Sequence, residues 1–123
     1  MKRRLIAVLL VAIGGMAGAS ARFMLGAVSG EALITTIAVN TGGSLLLALL
    51  LFGIQNGPSP RVRYLLGTGF FASFTTYSTF IADIALQEPT VAILYFLASY
   101  GSAFLAVVVG RESIRYLRDT GAL

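Results

Sequence analysis

Two residue types that carry much of protein chemistry are missing from this 123-residue chain, which has no Cys and no His. Without Cys there is no disulfide framework and no thiolate chemistry. Without His the commonest general base and metal ligand is absent. The remaining side chains offer no nucleophile–base pair, so the sequence argues against an enzyme.

Charge is also scarce. Only 11% of the residues are charged while 57% are hydrophobic, and the mean hydropathy is +0.87. Soluble domains carry about 25% charged residues, so the natural solvent for this chain is a lipid bilayer. The net charge of +4 could suggest nucleic acid. The basic residues lie at the ends of apolar runs rather than on a patch, however, so we expect membrane lipid and no nucleic acid as a partner.

Four apolar segments are long enough to cross a bilayer, which needs about 20 residues in a helix. They cover roughly 5–28, 32–54, 64–87 and 90–110. We therefore expect an all-α integral membrane protein with four transmembrane helices in one domain, 1–123. The first segment also resembles a secretory signal, but three spans follow it, and we interpret it as a retained helix. The charged tail after Gly110 is expected to continue as a helix.

The charged residues predict one orientation. Of the nine basic residues, all except Arg22 fall on the side that holds both termini and the second loop: Lys2, Arg3, Arg4, Arg61, Arg63, Arg111, Arg115 and Arg118. The opposite side holds Glu31 and Glu88 and no basic residue. By the positive-inside rule both termini are cytoplasmic, in a multi-pass protein of the cell membrane (the inner or plasma membrane).

Small residues in the first two spans mark candidate contacts between helices, since they let backbones approach. Gly14 and Gly18 have the G-x-x-x-G spacing that lets two backbones approach closely. Gly42 and Gly43 lie together in the second span. We interpret these glycines as packing positions. Four short helices bury little by themselves, so we also expect the chain to form an oligomer.

Two polar residues lie well inside the first and second spans, where polar groups are rare and tend to be functional. Arg22 either snorkels to the interface or faces a pore or a partner. Asn40 lies near the centre of its span, and Thr36 and Ser44 share its helix face. An amide at that depth must find partners, so Asn40 either joins helices or lines a polar path.

The stretch FFASFTTYSTF at 70–80 interleaves aromatic rings with five small hydroxylated residues, namely Ser73, Thr75, Thr76, Ser78 and Thr79. These are weak helix formers, and hydroxyls offer the backbone an alternative to the helical ladder. One interpretation is a helix interrupted near the bilayer midplane, which is allowed only where it is buried in protein or lines an aqueous cavity. The other is a packed aromatic helix. If the helix resumes by Tyr77, Tyr77 and Phe80 share a face.

The polar groups available for a path are almost all neutral. Tyr95 and Ser99 in the fourth span are four apart, and Ser102 continues their stripe. Asp83, near the end of the third span, is the one acid in that region, so no proton relay is evident. Hydroxyls, an amide and the positive edges of aromatic rings favour a small, hard anion or a neutral polar solute.

Three motifs resemble the small fluoride channel family called Fluc or CrcB. GGMAGASARF at 14–23, VNTGGSLLLALL at 39–50 and TTYSTF at 75–80 occur in the family's order, and the resemblance covers nearly the whole chain. It implies passive export of toxic fluoride through two pores between antiparallel subunits. It also implies a structural Na⁺ at the dimer centre, held by backbone carbonyls of the interrupted third span.

The resemblance assigns roles to particular residues. Thr75 matches one carbonyl ligand of the Na⁺, and Ala72 stands where the family has the glycine that supplies the other. The ion pathway implied by the resemblance comprises Asn40, Tyr77, Ser78, Thr79, Phe80, Tyr95 and Ser99, with Arg22 matching the family's first-span arginine. Tyr77 departs from the family because a phenylalanine is usual there.

The charge bias departs from the family as well, because subunits that pair with themselves antiparallel must insert both ways. The chain is therefore expected to form either a homodimer or a heterodimer with an oppositely oriented homologue, a hypothesis supported also by Ala72-Ser73 in place of Gly-Gly. Two other functions stay open from the residues: a non-conducting or degenerate scaffold subunit, and a small multidrug-type exporter, for which Asp83 would be the embedded acid.

Overall fold

The structure, a computed structural model, describes residues 2–54 and 57–121. Within these ranges the chain is all-helical and contains no strand. Three helices are long and apolar enough to cross a membrane. They are α1 (Lys2–Ser29), α2 (Ala32–Gly53) and α6 (Pro89–Asp119), and they correspond to the first, second and fourth predicted spans. The all-helical fold class predicted from the sequence is confirmed at this level.

The observed bounds of these helices differ modestly from the predicted ones. α1 starts at Lys2 and includes the basic residues that the prediction left outside the span. α6 runs on to Asp119, as expected for the charged tail. Helices need not end where the apolar run ends, because charged residues are good helix formers in an aqueous interface. The predicted loop residues Gln55 and Asn56 lie outside the described residues.

The third predicted span, 64–87, consists of shorter pieces, none of which is long enough to cross a bilayer alone. They are α3 (Pro60–Val62), a π-helix (Arg63–Phe71), α4 (Ala72–Phe74) and α5 (Ser78–Ala85). The helical turns therefore begin four residues earlier than predicted. The cause is local, since Pro60 occupies the first turn and the Ser59 side chain accepts a hydrogen bond from the Val62 N–H at 3.4 Å.

The connections on the opposite side are short and have clear turn chemistry. Gly30 has φ +65° between α1 and α2, a left-handed conformation that glycine adopts without strain. Glu88 precedes Pro89, which takes the first position of α6. The turns therefore hold α1, α2, α5 and α6 close together at that end.

Two pairings build the monomer: α1 packs on the π-helix, and α2 packs on α6. Gly14 and Gly18 are the buried residues of α1. A Cβ on Gly14 would overlap the Leu65 carbonyl oxygen, and a Cβ on Gly18 would overlap that of Phe70. The packing role predicted for these two glycines is confirmed, because only a hydrogen at these positions lets the two backbones meet.

Candidate functional site

The helical path of the third segment is interrupted at residues 75–77. Thr75 has φ −71° and ψ 157°, which is extended backbone, and helical turns resume at Ser78. Residues 75–77 therefore lie between two helical pieces, α4 and α5. The Thr75 N–H still bonds to the Phe71 carbonyl, and the Tyr77 carbonyl still accepts from the Ile81 N–H, so it is at Thr76 that a side chain takes the place of the helical ladder.

The Asn40 side chain bonds directly to the interruption. Its Nδ2 donates to the Thr76 carbonyl oxygen at 3.0 Å, and its Oδ1 accepts from the Thr76 N–H at 2.8 Å. One amide thereby satisfies both polar groups of a residue that has left the helical ladder. Asn40 joins α2 to the third segment, and it also lines the groove described below. The two roles considered for it in the sequence are compatible.

Hydroxyl groups satisfy the two helix ends beside the interruption. Thr75 Oγ1 donates to the Phe71 carbonyl at 2.9 Å, which closes the preceding turn. Thr76 Oγ1 accepts from the Thr79 N–H at 3.2 Å and donates to Thr79 Oγ1 at 2.9 Å. Thr76 therefore caps the start of α5 as serine and threonine cap other helices. The cluster of weak helix formers is used to end one helix and begin the next.

Arg22 reaches the same segment from α1. Its Nε donates to the Ser73 carbonyl oxygen at 3.3 Å, and the residue is half-buried. Arg22 also lines a cavity of about 400 Å³ together with Thr36, Thr76 and Thr79. The side chain is thus bonded to the protein near the interruption rather than extended freely toward an interface.

A second cavity is lined by several residues of the predicted ion pathway. It has a volume of about 240 Å³ and lies between α2, the interruption and α6. Its lining residues are Asn40, Ser44, Thr75, Thr76, Tyr77, Phe80, Ser99, Tyr100 and Ala103. We call it the polar groove. All of its side chains are neutral, and they supply an amide, hydroxyls and aromatic rings.

Four of the seven predicted pathway residues, Asn40, Tyr77, Phe80 and Ser99, are brought together in the polar groove. Thr79 lines the other cavity. Ser78 lines neither cavity and is exposed at the start of α5. Tyr95 lines neither and is only 4% exposed. The sequence spacing placed these residues at similar depth but could not assign them to one surface.

Phe80 is the centre of an aromatic cluster and is only 2% exposed. Its ring centroid lies 5.3 Å from that of Tyr95, 5.5 Å from that of Tyr100 and 6.3 Å from that of Tyr77. The Tyr77 ring, by contrast, is 68% exposed. The two rings are neighbours and both line the polar groove, but Phe80 is packed within the chain while Tyr77 is largely exposed.

Asp83 has a structural role that sequence reasoning missed. Its Oδ2 accepts hydrogen bonds from Thr36 Oγ1 at 2.9 Å and from Tyr95 Oη at 3.0 Å. The carboxylate therefore connects α2, α5 and α6. A signal for this was present, since Thr36 is one turn before Asn40 and Asp83 is one turn after Thr79. Because α2 and the third segment run in opposite directions, a step back from Asn40 to Thr36 and a step forward from Thr79 to Asp83 reach the same level of the molecule.

The carbonyl oxygens of Ala72 and Thr75 have no hydrogen-bond donor within the part of the chain that the structure describes. Ala72 has φ −67° and ψ −27°, a right-handed conformation open to every residue, so glycine is not required there. Carbonyl oxygens of this kind are suitable ligands for a hard cation.

Helices that can cross a membrane three times, with neutral polar groups converging on an interrupted segment, define a multi-pass membrane protein with an internal polar groove. A profile described as "CrcB-like protein, Camphor Resistance (CrcB)" matches residues 9–111. The chain belongs to this family.

Curated relatives match nearly the whole length of the chain. The chain is 40% identical over 119 residues to fluoride-specific ion channel FluC 1 of Natronomonas pharaonis, covering 94% of this chain and 98% of the relative. It is 37% identical over 116 residues to fluoride-specific ion channel FluC 1 of Haloarcula marismortui, covering 93% and 90%. A protein of the same name in Rhodococcus jostii is 41% identical over 103 residues, covering 84% and 81%.

Proposed function

We propose that this chain is a subunit of a fluoride-specific ion channel that lets fluoride leave the cytoplasm passively and so relieves its toxicity. The observation that carries the proposal is the polar groove, in which the Asn40 amide, Ser99 and the rings of Tyr77 and Phe80 converge beside an interrupted helix. Relatives that bear the name fluoride-specific ion channel match at 37–41% identity over most of the chain. A channel of this kind is a transporter, not an enzyme.

The chemistry of the groove suits fluoride. A small anion holds its hydration shell tightly, so a conducting path must replace that shell with hydrogen-bond donors and positive ring edges. A fixed cationic residue in the groove would hold the ion, whereas neutral donors let it enter and leave. The lining of the polar groove contains no charged side chain. The proposed pathway includes Ser78, Thr79 and Tyr95 beyond the groove itself, and Arg22 supports the segment through Ser73.

In this proposal the third segment, from Pro60 to Ala85, also crosses the membrane, which brings the number of crossings to four. Its interruption lies near the bilayer midplane. The crossing is built from pieces because the backbone groups of Thr76 bond to the Asn40 side chain instead of to a helical ladder. Irregular backbone is tolerated at this depth when protein covers it or it lines a cavity. Both termini are then cytoplasmic, as the basic residues predict.

A second subunit completes the pore. Tyr77 is 68% exposed although its neighbour Phe80 is buried, and Ala72 is exposed as well. An aromatic ring and an unused carbonyl on the surface beside the groove favour an interface with an antiparallel partner, which would form two pores. A closed twofold pairing would bring the same residues of both subunits to the axis.

The carbonyl groups of Ala72 and Thr75 fit a structural Na⁺ at that axis. Two oxygens from each subunit would surround the ion, since hard cations prefer oxygen ligands. The ion would supply only positive charge that holds the two interruptions together. Because Ala72 has an ordinary right-handed conformation, the replacement of the family's glycine gives no reason to doubt the ligand. The heterodimer hypothesis then depends on the charge bias alone.

The test is fluoride efflux from liposomes that contain the purified chain, measured with a fluoride electrode after a potassium ionophore is added. We expect rapid fluoride release and no chloride release under the same conditions. Release that requires a proton gradient would instead identify an exporter. Absence of release from a correctly assembled protein, with and without a homologous partner, would identify a non-conducting scaffold subunit and overturn the proposal.

A further inference from the structure

A third cavity lies at the end of the molecule that carries the basic residues, far from the polar groove. It has a volume of about 680 Å³ and forms between the first turns of α1 and the Ser59-Pro60-Arg61 corner that begins the third segment. Volumes of 300–1,000 Å³ are usual for small-molecule sites. The pathway proposed above makes no use of this cavity.

Two arginines from separate elements line the cavity, Arg3 on α1 and Arg61 on α3. In the part of the chain that the structure describes, the ion pairs are formed by Arg111 and Arg115 with Glu112, so neither cavity arginine is neutralised by an acid there. Both arginines are exposed, so their side chains are accessible to an anionic group. Guanidinium groups bind phosphate oxygens through paired hydrogen bonds.

The other walls of the cavity are not those of a site for a free anion. Ile6 and Ala7 form an apolar wall, and the Tyr64 ring forms part of the lining. Ile6 is 43% exposed, and the exposed Leu9 and Ile13 continue along α1 at helical spacing toward the membrane interior. The lining thus combines cationic and polar residues with apolar ones, and the exposed apolar face of α1 continues from Ile6.

We propose that this cavity binds an anionic phospholipid of the cytoplasmic leaflet, with the phosphodiester between Arg3 and Arg61 and an acyl chain along Ile6, Leu9 and Ile13. The Ser59 and Tyr64 hydroxyls lie in the same lining and can bond headgroup oxygens. Basic pockets between membrane helices on the cytoplasmic side recognise such headgroups. The lipid would join the start of α1 to the start of the third segment, whose π-helix already packs on α1.

The test uses the full-length protein in detergent, with binding of phosphatidylglycerol measured by native mass spectrometry. We expect the double variant Arg3→Gln/Arg61→Gln to bind phosphatidylglycerol about tenfold more weakly or worse, since charge-assisted hydrogen bonds are strong. The matched control is Arg111→Gln/Arg115→Gln, which removes the same charge at the same end but outside this cavity. It should bind as the unmodified protein does.

Two further comparisons separate the sources of the phosphate group. Phosphatidylcholine should bind weakly, because its headgroup has no net charge, and inorganic phosphate should not displace phosphatidylglycerol. Displacement by inorganic phosphate would show a free-anion site, and equal losses in the two double variants would show a general charge effect. Either result would overturn the proposal.

The double glutamine variant could fail to fold, and Arg3→Lys/Arg61→Lys covers that case. It keeps both charges but loses the planar guanidinium, so we expect phosphatidylglycerol to bind more weakly than to the unmodified protein. Unchanged binding to this variant would mean that charge alone suffices and would contradict the paired geometry assigned here. The assignment to the cytoplasmic leaflet rests on the orientation given with the proposed function, but fluoride flux plays no part in these measurements, so the two proposals can fail separately.

Discussion

The Asn40 side chain forms two hydrogen bonds with a single residue, Thr76, through the N–H and the carbonyl of its backbone. Those two groups belong to the one stretch of the third segment that lacks a helical ladder. A buried amide left without partners is costly, and so are unpaired backbone groups. The asparagine therefore satisfies the backbone of the interruption, and both line the polar groove.

Replacing Asn40 with Ala should reduce fluoride efflux by roughly tenfold or more, because leaving a buried polar group unpaired costs about 1–3 kcal/mol. Asn40→Asp should also fail, since a carboxylate can accept from the Thr76 N–H but repels the Thr76 carbonyl. The matched control is Ser44→Ala, which removes another polar side chain of the same groove and helix face while leaving the two Asn40–Thr76 hydrogen bonds intact. Initial efflux rates from liposomes provide the comparison, and an Asn40→Ala rate equal to that of Ser44→Ala would contradict this role.

Phe80→Leu should reduce fluoride efflux more than Phe96→Leu does. Both rings belong to the same aromatic cluster, with centroids 6.1 Å apart, but only Phe80 lines the polar groove. Leucine keeps an apolar side chain while removing the positive ring edge. Efflux and elution volume on size-exclusion chromatography should be measured together, because a loss of efflux that always accompanies loss of the assembled peak would indicate packing alone.

Gly14→Ala should destabilise the protein by about 1–3 kcal/mol, the usual cost of overpacking a well-packed contact. The added methyl group would meet the Leu65 carbonyl oxygen, which is backbone and cannot move aside easily. Gly42→Ala is the control, because a Cβ there has open space around it. Thermal unfolding in detergent tests this. Equal unfolding temperatures for the two variants would show that α1 and the π-helix do not pack as described.

Single cysteines can decide the orientation, because the chain has no Cys of its own. Thr120→Cys marks the tail after α6, and Thr90→Cys marks the first turn of the same helix at its opposite end. If the charge bias enforces one orientation, a membrane-impermeant maleimide applied outside cells should label Thr90→Cys and not Thr120→Cys. Labelling of about half of each population would instead support an antiparallel homodimer.

Replacing Na⁺ with a large organic cation during purification should lower the unfolding temperature of the assembled protein. Ligands that bind only the native state stabilise it by mass action, and the Ala72 and Thr75 carbonyls are the proposed ligands. Adding Na⁺ back should restore the original temperature in a concentration-dependent manner, whereas added Li⁺ at equal ionic strength serves as a control for salt. An unfolding temperature that is indifferent to Na⁺ would remove the ion from the proposed dimer.

Much of the architecture follows from local properties of the chain. Long apolar runs in water-free lipid must satisfy their backbone groups internally, so they form helices, and α1, α2 and α6 could be located from composition alone. Gly14 and Gly18 marked a close helix contact because small residues at that spacing have few other uses in a membrane. The hydroxyl cluster at 73–79 left two interpretations open, an interrupted helix and a packed aromatic helix, because such side chains can either compete with the helical ladder or bond back to it.

The hydrogen-bond and packing partners of individual side chains could not be predicted from local properties, because they depend on which helix surfaces meet. Asn40 and Thr76 are 36 positions apart, and Thr36, Asp83 and Tyr95 come from three elements. Helical periodicity places a residue on a face of its own helix but says nothing about the rotation of one helix against another. Tertiary packing therefore decides that Asp83 bonds Tyr95, that Phe80 is buried while Tyr77 is exposed, and that Arg3 and Arg61 line the same cavity.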